Sequence, residues 1–323
     1  MGEAGSGAPD LAAALEAARG GRRGALARLL SVVERGGDAA AELAAAAFPR
    51  SGVAATVGMT GAPGAGKSSL VSSLLHTLRA RGSEVAVLAV DPSSPFSGGA
   101  ILGDRVRMQE HALDAGVYIR SMASRGHLGG LALAVPEAVR VLEAVGFPIV
   151  VVETVGVGQV EVEVAGATDT TVVVVNPAWG DSVQASKAGL LEVADVLVIN
   201  KADRPGARET RRDLQAMLDL SAPGGWRPPV VDTVATSGDG VAEMWEAVEA
   251  HRSYLASSGA GERRRSERLD AEVRRLLAAQ VRREVDRATT GEAWELLRER
   301  LRSRQTDTYA ASSELLAGLL GAV

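Results

Sequence analysis

From Val53 onward the chain alternates short Val-rich runs with longer stretches of helical periodicity, and this alternation limits the fold more than any other feature. The runs cover 53–59, 84–90, 117–121, 147–153, 170–175, 195–200 and 229–234, and helices are expected over 67–80, 131–145, 182–192, 207–219 and 240–256. Because the runs are apolar at consecutive positions, both faces of each strand must be buried. That is the mark of an α/β fold with a mostly parallel sheet flanked by helices. Apolar residues make up 46% of the chain and aromatics only 3%, so the core has to be built from Ala, Val and Leu. Ligands of such sheets sit beyond the carboxyl ends of the strands, so the residues that follow each run are the ones to read for chemistry.

The flanks read as helical extensions. Leu11, Leu15, Leu26, Leu29, Leu30 and Val33 recur at helical spacing between Gly20-Gly21 and Gly36-Gly37, giving two or three small helices with no visible chemistry. Residues 257–268 read as a linker. Beyond it, Leu269, Val273, Leu276, Leu277 and Val281 mark one amphipathic helix, and Trp294, Leu297 and Leu301 another. Such a pair must bury its apolar stripe, on the main domain or on a second copy. The expected organisation is an N-terminal extension over 1–50, a nucleotide-binding domain over 51–257 and a C-terminal helical arm over 258–323.

Several functions are disfavoured at this level. The net charge of −5 argues against sequence-independent binding of nucleic acid. The absence of cysteine excludes disulfides and thiolate chemistry. His76, His111, His127 and His251 are scattered without paired ligand spacing, so a histidine-based metal site is not expected. No apolar run reaches the roughly 20 residues of a membrane span, and the N-terminus lacks a signal-peptide core, so a cytoplasmic location is expected.

The residues Gly61-Ala62-Pro63-Gly64-Ala65-Gly66-Lys67-Ser68 match G-x-x-x-x-G-K-[ST] between a strand and a helix. Glycines let successive N–H groups turn inward as an anion nest, and the helix N-terminus adds partial positive charge. Lys67 would reach the β and γ phosphates, and Ser68, next to Ser69, would offer a hydroxyl to magnesium. Asp91 ends one strand and reads as a magnesium ligand or as a turn residue before Pro92. Glu153 ends another. Glu153-Thr154-Val155-Gly156 has the spacing of a D-x-x-G sensor, in which the Gly156 N–H contacts the γ-phosphate. Asn200-Lys201-Ala202-Asp203 follows the strand 195–200. The Asp203 carboxylate can accept from both the N1–H and the exocyclic amine of guanine, a donor pair that adenine lacks. Asn200 would bond the base edge and tether the phosphate loop, and the Lys201 stem would lie along the ring. The Ala235 N–H, in the turn Val234-Ala235-Thr236-Ser237, is the expected donor to guanine O6.

These motifs, together with Asp91-Pro92-Ser93-Ser94, Ile101-Leu102-Gly103-Asp104, Ser124 to Gly130 and Glu153 to Gln159, resemble the MeaB/ArgK family, bacterial relatives of the human methylmalonic aciduria type A protein. The resemblance is close over roughly residues 50–255. It implies a homodimeric P-loop GTPase that uses Mg2+ with GTP and acts as chaperone for an adenosylcobalamin-dependent acyl-CoA mutase, chiefly methylmalonyl-CoA mutase. It also implies that the mutase stimulates hydrolysis to GDP. By the same resemblance, Asp104 lies near magnesium in a first switch (92–108), 154–163 form a second, and Gly180-Asp181 with Lys187 a third. Two positions depart from the family pattern: Val234 stands where Ser is usual, and Trp179 where a small residue is usual. Gln159 stands three residues after Gly156, whereas in Ras-like proteins the glutamine directly follows the glycine, so slow intrinsic turnover accelerated by the partner is expected. The alternative is a metallochaperone-type GTPase for nickel or cobalt enzymes, which the lack of Cys and of a His cluster disfavours. A kinase reading lacks a phosphoacceptor site.

Overall fold

The computed structural model describes residues 10–92, 109–111, 113–124, 130–154, 166–177, 192–220 and 225–321. Among the described residues the seven strands are β1 (Ala55–Gly61), β2 (Val85–Pro92), β3 (Val117–Ser124), β4 (Ile149–Thr154), β5 (Thr170–Val175), β6 (Val196–Asn200) and β7 (Val230–Thr233). They form one sheet in the order β3-β2-β4-β1-β5-β6-β7, and every pairing is parallel. The helices are α1 (Leu11–Arg19), α2 (Arg23–Arg35), α3 (Asp38–Ala47), α4 (Lys67–Ala80), α5 (Gly130–Val145), α6 (Ala207–Asp219), α7 (Val241–Ser258), α8 (Ala260–Ala288), α9 (Glu292–Arg302) and α10 (Thr308–Gly321). The helix expected over 182–192 lies almost wholly outside the described residues.

Successive strand residues feed opposite faces, as the pleat requires. Val85, Val87, Ile149 and Val151 join Val57, Met59, Val172, Val174, Val196 and Val198 beneath α4 and α7, where Leu70, Leu74, Leu75, Met244 and Trp245 complete one core. On the other face Ala86, Leu88, Val150 and Val152 pack with α5 and with Leu15, Leu29, Leu30 and Leu43 of the three N-terminal helices. The same face continues over β5 and β6 as Val173, Val175, Leu197 and Ile199 against Leu214 and Leu218 of α6. The N-terminal helices are therefore a wall of the main core. Arg120 of β3 clamps them with bonds to Glu34 (2.7 Å) and Ser31 (3.0 Å).

The chain divides into two compact units, Met1–Ser266 and Glu267–Val323. In place of the linker expected over 257–268, Gly259 caps α7 in the left-handed region (φ 70°) and α8 begins at the next residue. Within the first unit, Arg264 bonds both carboxylate oxygens of buried Asp195 at 2.8 and 3.1 Å, and the Asp195 carboxylate also accepts from the Thr171 N–H at 2.9 Å. In the second unit, Leu269, Val273, Leu277, Val281 and Val285 recur every fourth residue along α8, and all five are exposed. α10 was not expected from the sequence. Among the described residues, no helix is long and apolar enough to cross a membrane.

Candidate nucleotide site

The phosphate loop begins inside the sheet. Gly61 ends β1 with φ 135°, and a side chain there would collide with the Val174 backbone of β5, so glycine is the residue that lets the loop leave the strand here. Gly66, φ 92°, is the N-cap of α4, and a side chain on it would strike the Asn200 amide. Residues 61–66 thus run directly into the N-terminus of a 14-residue helix, where N–H groups and the helix dipole favour an anion.

Lys67 and Ser68 open α4 and are both buried. The Lys67 ammonium arches back over the loop, donating to the carbonyls of Gly61 (2.6 Å) and Ala62 (3.1 Å). Ser68 Oγ donates to Glu153 Oε1 at 2.5 Å. Glu153 is fully buried on β4, in register with Met59 of β1. Since the hydroxyl gives its one hydrogen to Glu153, its lone pairs are turned elsewhere. Ser69 is half-buried in the same first turn. Asp91 stands at the end of β2, paired with Ala123, but its side chain lies outside the description. Asp104 and Gly156 lie outside the described residues altogether. So do nearly all of the three expected switches, with Gln159 and Trp179.

The base side is joined to the phosphate side by two residues. Asn200, the buried last residue of β6, donates to the Ala65 carbonyl at 2.8 Å and accepts from Ala235 N–H (3.1 Å) and Thr233 Oγ1 (3.2 Å). Lys201 has φ 61°, a left-handed conformation that costs a non-glycine residue about 1–2 kcal/mol. The surroundings impose it: Ala202 N–H donates to Thr233 O at 3.0 Å, and Lys201 Nζ donates to Gly64 O at 2.7 Å. Asp203 follows, exposed, and no hydrogen bond or ion pair joins it to the other described residues. The structure therefore gathers Gly61 to Ser69, Glu153, Asn200, Lys201, Asp203 and Ala235 at the carboxyl ends of β1, β4, β6 and β7.

Two features go beyond the sequence reading. The Ala235 N–H is engaged by Asn200, so any base contact it makes is shared with that bond. Val234 enters its turn through its backbone, with its N–H on Asp239 O (2.9 Å) and its carbonyl accepting from the Ser237 N–H and hydroxyl and from Gly238 N–H, so the turn asks for no polar side chain at 234. The fold also brings His76 and His111, scattered in the sequence, together with Glu110. Nothing in their spacing along the chain signals this.

A parallel sheet with this cradle and an adjoining N-K-x-D loop defines a P-loop nucleoside-triphosphatase. The family model described as methylmalonyl Co-A mutase-associated GTPase MeaB matches residues 26–290. A Pyrococcus abyssi protein named as a GTPase is 45% identical over 312 residues, covering 95% of this chain and 96% of that one. GTPase ArgK of Escherichia coli is 38% identical over 260 residues, 77% and 78% of the two chains. The crystal structure of a LAO/AO transport system kinase matches with a TM-score of 0.71 at 27% identity, covering 96% of this chain and 97% of that one. The chain belongs to the MeaB family and is a P-loop GTPase. These matches do not favour the nickel or cobalt maturation alternative.

Proposed function

We propose that the protein hydrolyses GTP to GDP and phosphate and uses that cycle as a cytoplasmic, homodimeric chaperone of an adenosylcobalamin-dependent acyl-CoA mutase, methylmalonyl-CoA mutase first among the candidates. The observation that carries the nucleotide reading is the pair of bonds from Asn200 to Ala65 and from Lys201 to Gly64, which tie the loop bearing Asp203 to the phosphate cradle. The mutase reading rests on the family match.

In this reading the N–H groups of residues 62–69 and the Lys67 ammonium bind the phosphates, Lys67 exchanging its loop carbonyls for phosphate oxygens. Asp203 selects guanine, with Asn200, Lys201 and the Ala235 N–H around the base. The buried oxygens of Ser68 and Glu153 are the hard donors that magnesium prefers. Ser68, together with Asp91, Asp104 and Glu153, would hold an ion that neutralises charge on the transferring phosphoryl group. Glu153 keeps the Ser68 hydroxyl oriented, and the Gly156 N–H senses the γ-phosphate. The exposed stripe on α8 is the surface a second copy would cover.

The test is calorimetry with GTP and ATP, followed by GTPase assays with and without each candidate mutase. Two charge-assisted bonds of about 1.5–3 kcal/mol each are lost in Asp203→Asn, so GTP affinity falls at least about tenfold while that for ATP is unchanged. Equal affinity for the two nucleotides in the unaltered protein overturns the guanine reading. A mutase set that neither binds nor accelerates hydrolysis overturns the chaperone reading and leaves the GTPase standing.

A further inference from the structure

His76 lies on the exposed side of α4, and Glu110 and His111 lie in the 3-10 turn Gln109–His111 that precedes β3. His76 Nε2 stands 3.3 Å from Glu110 Oε1, and His111 Nε2 stands 3.8 Å from the same oxygen. All three ligand atoms lie within 4.8 Å of one another, and the imidazole rings approach to 4.3 Å between centroids. Ligands bound tetrahedrally at about 2.0–2.1 Å stand about 3.3 Å apart, so two edges of the triangle are already within about 0.5 Å of that figure. We propose that His76 Nε2, Glu110 Oε1 and His111 Nε2 form a binding site for a borderline divalent cation of the zinc class, distinct from the nucleotide site, with its outer positions open to water.

The donor set chooses the ion. Two imidazoles and one carboxylate suit zinc, nickel or copper and are poor ligands for magnesium or calcium. Two ring nitrogens converging on one carboxylate oxygen is more than an exposed ion pair needs. Ser72 supports the arrangement. Its Oγ donates to Glu110 Oε1 at 2.6 Å, which fixes the carboxylate and leaves that oxygen a second lone pair. His111 is buried, so its ring is held in place against α4. His111 Nε2 also lies 3.2 Å from both the carbonyl and the hydroxyl of Ser72. Ligation requires the tautomer with its proton on Nδ1 and displaces those contacts. A bound ion would pin the turn 109–111 onto the helix whose first residues are Lys67 and Ser68.

Equilibrium dialysis of the untagged, nucleotide-free protein against Zn2+ or Co2+ in excess Mg2+ tests this. One equivalent of Zn2+ is expected, and Co2+ should give the visible absorption of a four- or five-coordinate nitrogen–oxygen site. His76→Ala and Glu110→Gln alter exposed side chains and leave the fold intact by circular dichroism. Each should weaken Zn2+ binding by more than about tenfold, which is about 1.4 kcal/mol. Zn2+ should also slow hydrogen exchange at Glu110 and His111 in the unaltered protein and not in His76→Ala. Equal binding by the unaltered protein and the two variants, or no Zn2+ bound in excess Mg2+, overturns the proposal.

Discussion

Replacing Asn200 by Ala tests how much of the phosphate cradle is held from the far side of the sheet. Asn200 is 1% exposed, and the three shortest of its side-chain bonds run to Ala65 O and from Ala235 N–H and Thr233 Oγ1. At a net value of about 1 kcal/mol each, their loss amounts to about 3 kcal/mol, and the stranded Ala65 carbonyl and the void over Gly66 add to it. With about 2–4 °C per kcal/mol for a large domain, the nucleotide-free protein should melt about 6–12 °C lower. Asp203→Asn is the control: its side chain is exposed, so its melt should stay within about 0.5 kcal/mol of the unaltered protein while its GTP affinity falls. Urea titrations of both variants, read by far-ultraviolet circular dichroism, measure the difference. An Asn200→Ala protein with the midpoint of the unaltered chain would refute the tether, and the account of Gly66 beneath it.

Gly61→Ala should abolish soluble expression or lower the urea midpoint more than Asn200→Ala does, because both its φ and the Val174 backbone oppose a side chain; a normally stable variant contradicts that geometry. Burial holds the imidazoles of His111 and His251 below the usual 6.5. The unfolded state therefore binds more protons there, so the contribution is complete above about pH 6.5 and is lost on acidification. Melting temperature should fall as the pH drops below about 6.5. Buried Glu143, pushed up by desolvation, has the opposite sign, so the decisive comparison is the flatter slope expected of His111→Asn and His251→Asn; unchanged slopes refute the assignment. Val273→Glu with Leu277→Glu should convert a dimer to monomer by light scattering without lowering the main unit's melt, and a persisting dimer would place the contact elsewhere.

The strand–helix alternation was legible because both-face burial leaves consecutive apolar residues, and α4 falls on the expected 67–80 since its start is set by Gly66-Lys67. Strand ends were less so. β1 runs on through Gly61 because its backbone keeps pairing with β5 as far as Val174, a bond pattern that side-chain hydropathy does not report. β3 continues past Arg120 and Ser121 for the same reason, paired along its length with β2. Gly259 and Gly261 suggested a linker, yet one left-handed residue was enough to end α7 and start α8. Within the site, the motif residues announced themselves. Thr233, which supports Asn200, and the meeting of His76 with His111 depend on which strands become neighbours, and no local spacing encodes that.

Ala65 is bonded to a residue 135 positions later, and Gly64 to one 137 positions later. A ribosome releases the N-terminal part first, at about 5–20 residues per second, so the cradle waits roughly 7–27 s after its own synthesis for the residues that brace it. During that interval GTP cannot yet contribute binding energy to the folded state, while β1, β2 and β4 already present their apolar faces. Until Asn200 and Lys201 emerge, the loop therefore lacks the two bonds that brace it from the β6 side.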